Sequence, residues 1–136
     1  MKTETALLTL LIACGCAAAP MLVNAQSIPT PCQRYVTAMK VCGRDLIRYE
    51  EIMQPDQVPQ LRSQLDEGVN GMNSLFQRAV REHGMDLAGK FCTSQALSSQ
   101  IVPKLTNMMT ALSMGDAASE GCQDAYGKAV VPVLTQ

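Results

Sequence analysis

The chain has no tryptophan, two phenylalanines and three tyrosines, so aromatics make up only 4% of its 136 residues. A core of this composition must be packed from aliphatic side chains and methionine. Histidine occurs once, at His83, which leaves no histidine pair from which to build a zinc site of ordinary spacing. An excess of either charge is also missing. Eleven Lys and Arg stand against twelve Asp and Glu, for a formal net charge of -1. That balance argues against the basic footprint of a nucleic-acid binder, and no run of like charges reads as a tail. No stretch alternates apolar and polar residues over strand length, and no segment repeats. The Cys-x-x-Cys spacing of a redox pair is absent, as is the Cys-x-x-Cys-His of haem attachment. No serine sits in a strand-turn-helix context, and oxidised cysteines are not nucleophiles. The expectation is a protein that is not an enzyme and carries no cofactor.

What is present begins with a leader. Residues 1–25 read as a secretory signal peptide: Lys2 near the start, an apolar run from Ala6 to Ala19, a break at Pro20, then the small-residue cleavage site Val23-Asn24-Ala25. The apolar run is shorter than the ~20 residues a membrane span needs. A second reading uses Leu11-Ile12-Ala13-Cys14, which resembles a bacterial lipobox and would leave a lipid anchor on Cys14. The Ala25 site is preferred because it follows Pro20 naturally. Cleavage there removes Cys14 and Cys16 and leaves residues 26–136 as a single helical domain with four cysteines, Cys32, Cys42, Cys92 and Cys122. An even count in an exported chain suggests two disulfides and a periplasmic or secreted location.

The mature chain is patterned for helices. Apolar residues fall at Cys32, Tyr35, Met39, Cys42, Leu46, Tyr49 and Met53, in alternating steps of three and four. That is one face of a helix buried along its length. Thr30 is the expected N-cap, with Pro31 in the first turn. Lys40, Arg44, Arg48 and Glu51 fall on the other, solvated face. A second helix, capped by Asp56 or Val58, buries Leu61, Leu65, Val69, Met72, Phe76 and Val80 and ends at Gly84. Asp86 can cap a short helix through Cys92, and the polar residues 93–99 read as a loop. The pattern returns with Ile101, Leu105, Met108 and Leu112, with Pro103 in the first turn. Gly115 ends that helix. Asp116 is the expected cap of the last, which buries Cys122, Tyr126, Ala129 and Val133. The fold class is all-α, an up-down bundle of four to five helices pinned by two disulfides.

The pairing follows from distance. Ten residues of helix hold Cys32 and Cys42 about 15 Å apart, and a disulfide needs α-carbons within about 7 Å. Two connectivities remain. In an up-down bundle the second helix returns Cys92 to the level of Cys32. The third climbs about 22 Å and the fourth descends about 9 Å, which brings Cys122 level with Cys42. Cys32–Cys92 and Cys42–Cys122 are therefore expected; the crossed alternative leaves each bridge about 13 to 15 Å out of register.

Two residue types invite a metal. Of nine methionines, seven follow Ala25, and thioethers are soft ligands for copper(I). Met39, Met53, Met72 and Met108 fall on the apolar stripes, which makes them core residues filling space that aromatics leave. His83, with Glu82 and Asp86 beside it, sits at a helix end, poorly placed as a zinc or haem ligand. No metal site is expected.

The opening Cys32-Gln33-Arg34-Tyr35, after a signal peptide and a Pro-containing leader, resembles uncharacterised families of small bacterial periplasmic helical proteins that begin Cys-x-x-Tyr. The resemblance implies export and helices, and no activity. The long gap from Cys42 to Cys92 also resembles that of the periplasmic acid-stress chaperones of the HdeA type, which have two cysteines rather than four. The functional expectation is an exported, noncatalytic protein that binds a protein partner in the manner of an inhibitor or immunity protein, with no nucleic acid and no membrane span. The alternatives are a stress chaperone and a metal or haem carrier.

Overall fold

The structure, a computed structural model, describes residues 27–135. The leader, with the cleavage and lipobox readings and with Cys14 and Cys16, lies outside them. The described residues form four helices, α1 (Thr30–Met53), α2 (Val58–Cys92), α3 (Gln95–Met114) and α4 (Glu120–Leu134), with a 3-10 turn at Pro55–Gln57 between the first two. The all-α, disulfide-pinned bundle is the observed fold class.

The apolar stripe of α1 organises the packing. Cys32, Tyr35, Met39 and Cys42 are buried, and Leu46 and Tyr49 pack against the same core. Met53, placed on that stripe by its spacing, is instead 57% exposed. Ile52 beside it is exposed too, so in the last turn of α1, where these two side chains face the connection between α3 and α4 in an open depression, position on the stripe no longer means burial. α1 packs against α2, α3 and α4, whereas α2 and α4 do not touch. α3 also packs against both α2 and α4, so the three form an arc around α1 as their hub that does not close into a ring, and one strip of α1 is left open between α2 and α4. The core is aliphatic, as the composition requires. Ile101, Leu105, Met108 and Leu112 of α3 are all buried, and Tyr35 and Phe76 are its large buried aromatics.

Helix boundaries depart from the sequence expectation where polar residues compete for the caps. Thr30 lies inside α1 and Pro29 takes the N-cap position, with no side-chain cap. Likewise neither Asp56 nor Val58 caps α2; Pro55–Gln57 winds directly into it. Only Thr93 and Ser94 separate α2 from α3, because Ser94 Oγ accepts from Leu97 N at 3.3 Å and starts the helix there. Pro103 consequently sits inside α3. It is exposed, so the carbonyl it deprives of a partner faces water and the cost of an interior proline is reduced.

Gly84 breaks α2 with φ 82° and ψ 170°. That region is essentially closed to residues with a Cβ, and helix resumes beyond it through Cys92. At the end of α3 the left-handed residue is Asp116, φ 50°. Asp116 N donates to Ser113 O at 3.3 Å and Ala117 N to Leu112 O at 2.8 Å, the two bonds of a Schellman stop. Asp116 therefore terminates α3 instead of starting α4, and Ser119 is the cap of α4, its Oγ accepting from Cys122 N at 3.1 Å.

Candidate functional site

The structure joins the four cysteines as Cys32–Cys92 and Cys42–Cys122, with Cα–Cα distances of 5.2 and 4.7 Å. All four are buried. The first bridge clips the segment after Gly84 to the start of α1. The second ties the middle of α1 to the first turn of α4. Both are structural: they fix α1 as the hub and hold its open strip in place.

Beside the second bridge lies a contact that periodicity did not single out. Asp45 is buried, and its Oδ2 accepts from Ser119 N at 2.9 Å and Ser119 Oγ at 2.6 Å. One carboxylate thus orients the capping serine of α4 from the flank of α1. The signal was available: Asp45 falls three residues after Cys42, on the buried side of the helix, although its charge suggests the solvent face. Tyr35 is buried with its hydroxyl unpartnered among the described residues. Removal from water pushes its pKa above the ordinary 10.0, so the phenol stays neutral.

The open strip of α1 is the candidate binding surface. On its α2 side a groove runs along the helix pair. The upper part, a cavity of about 470 Å³, has an apolar floor of Met39, Leu65 and Val69 with Lys40 and Arg44 at its edge. The lower part, about 670 Å³, adjoins it at Asn70 and carries uncharged polar side chains around Ile28 and Val36. On the α4 side a second depression includes Arg34 and Arg44. Arg34, Lys40 and Arg44 are exposed, and none has a carboxylate within 4.0 Å among the described residues. Asp45, the acid nearest them in α1, is turned inward to Ser119. Lys40 and Arg44 were expected merely on a solvated face; what sequence could not show is that α2 and α4 stand apart and leave a groove there.

The other residues weighed for chemistry are dispersed. His83 is exposed inside α2, in the residue before the Gly84 break and not at the helix end, 3.8 Å from Glu82. Met39 and Met108 are buried, Met109 lies 3.8 Å from the Cys122 sulfur, and Met114 is 81% exposed. Among the described residues no group of three His, Cys, Asp or Glu gathers to hold a metal ion, and no helix is long and apolar enough to cross a membrane. Comparison of the chain with protein-family models, with curated proteins and with solved structures finds no match in any of the three.

Proposed function

We propose that the chain is an exported, noncatalytic protein that binds a protein partner through the open strip of α1, in the manner of an inhibitor or immunity protein. The observation that carries this reading is the groove itself: Lys40 and Arg44, without an ion-pair partner among the described residues, beside an apolar floor, on a helix cross-linked to two other parts of the fold. A binding surface held this rigidly loses little conformational entropy on association, which favours affinity. Export is supported by the two disulfides, which persist in oxidising compartments, and by the signal-like residues 1–25.

The test is affinity capture from the compartment to which the protein is exported, with the exported chain as bait. A single protein retained in stoichiometric amount is the expected result. Stoichiometric copper or haem in the purified protein would replace this reading with a carrier. Intact mass of the exported species checks the leader: a chain beginning at Gln26 is expected, and a diacylglycerol adduct on Cys14 would make the protein lipid-anchored instead.

A further inference from the structure

The two parts of the α1–α2 groove differ in chemistry, and the difference specifies an occupant. Around the apolar Ile28 and Val36, the lower part is lined by the amides of Gln33, Asn70, Asn73 and Gln77. Side-chain amides both donate and accept hydrogen bonds. They match a ligand that presents donors and acceptors in alternation, as the unpaired edge of an extended polypeptide does. A helical ligand satisfies its backbone groups internally. A phosphate-bearing ligand brings mainly acceptors and would leave the amide carbonyls unpaired.

The upper part adds the charge. Lys40 and Arg44 stand four residues apart, a rise of about 6 Å. Alternate side chains of an extended strand on one face are about 6.6 Å apart. From Gln33 to Ile47 the groove follows fourteen residues of helix, about 21 Å, the reach of roughly six extended residues. Asp66 shares the upper part from the α2 wall and repels carboxylates there, so acidic side chains belong on the α1 side.

We infer that this groove binds an extended acidic segment of another protein, about six residues long, with carboxylates at alternate positions over Lys40 and Arg44 and its backbone against the amides of Asn70 and Asn73. The inference rests on the partner-binding reading and deepens it. The probe is a fluorescein-labelled eight-residue peptide of alternating glutamate and alanine, followed by anisotropy against the exported chain. Its glutamine counterpart, an oligo-dT of equal length and phosphatidylglycerol vesicles serve as comparisons. The glutamate peptide should bind more tightly than the glutamine peptide. The double variant Lys40→Gln/Arg44→Gln should weaken that binding about tenfold, the scale of two solvent-exposed ion pairs. Both side chains are exposed, so the fold tolerates the change. The control Arg78→Gln/Arg81→Gln, at exposed positions of α2 outside the groove, should leave binding intact. Equal binding of the two peptides overturns the inference. So does binding of the oligonucleotide or the vesicle in preference to the peptide. A protein captured from the exported compartment that the Lys40/Arg44 variant still retains overturns the groove assignment and leaves the partner-binding reading standing.

Discussion

Replacing Asp45 with alanine tests how the start of α4 is held against α1. Its Oδ2 accepts two hydrogen bonds from Ser119, and Ser119 in turn caps α4 through Cys122 N. A hydrogen bond to a charged group contributes about 1.5–3 kcal/mol. Ser119 lies at the surface, where water replaces part of what is lost, so the lower figure applies to each bond, for a total of about 3 kcal/mol. Arg48 adds little to this sum. Its guanidinium is 3.9 Å from Asp45 and 76% exposed, and such pairs contribute roughly 0–1 kcal/mol. For a domain of this size 3 kcal/mol corresponds to a fall in Tm of about 12 °C. Asp45→Asn keeps an acceptor without the charge and should lose about half as much. The assay is urea and thermal unfolding with both disulfides intact, so that the Cys42–Cys122 bridge still holds α4 against α1 and the difference reports the carboxylate. Ser119→Ala completes a double-mutant cycle, with an expected coupling of about 1–2 kcal/mol. An Asp45→Ala protein within about 0.5 kcal/mol of the parent, the range of ordinary surface substitutions, would refute the reasoning. So would strict additivity with Ser119→Ala.

Two glycines should respond for different reasons. A Cβ on Gly115 would collide with the ring of Tyr49, so Gly115→Ala should cost about 1–3 kcal/mol through overpacking and be rescued in part by Tyr49→Leu in a stability assay. Gly84→Ala meets open space yet should cost about 1–3 kcal/mol from its backbone conformation alone, with no rescue by trimming neighbours. Replacing both Cys32 and Cys92 with alanine should cost about 4 kcal/mol by the loop-closure estimate, read as a lowered urea midpoint; an unchanged midpoint would show that the segment after Gly84 is held by packing instead. Tyr35→Phe removes an unpartnered hydroxyl and should be neutral or stabilising. Because the folded pKa of Tyr35 lies above the unfolded value of 10.0, the parent should keep its full stability below pH 10 and lose it as pH rises further. The phenylalanine variant should lose less over that window.

The sequence was most legible where one rule acted alone. The stripe of α1 as far as Tyr49 and the buried positions of α3 follow from periodicity, because residues three and four apart share the face of a helix turned to its neighbours. The disulfide pairing followed from helix rise and element order, since a bridge tolerates a mismatch of only a few ångströms. Legibility failed where two rules competed. Asp116 and Ser119 both carry side chains suited to cap α4, and the choice between them was made by the Schellman stop at Asp116 and by the carboxylate of Asp45, the latter a tertiary contact. Pro103 marked a helix start in sequence because an interior proline is costly, but its solvent-facing position reduced that cost. The groove was the least visible feature. Lys40 and Arg44 look like any solvated pair, and their setting depends on the separation of α2 from α4, which no local pattern encodes.

The two disulfide loops overlap, running from 32 to 92 and from 42 to 122, and this bears on how the chain is assembled. A chain emerging from its N-terminus presents Cys32 and Cys42 long before either native partner. Of the four bridged cysteines only these two are then available to each other, and they form a small non-native loop unless something holds them apart. Helix formation in α1 does so, since ten residues of helix separate them by about 15 Å. The first helix thus acts as a spacer in time as well as in space, keeping two thiols waiting for partners 60 and 80 residues downstream. A variant whose first helix forms poorly would then be caught with the wrong bridge, and would depend on thiol–disulfide exchange to escape it.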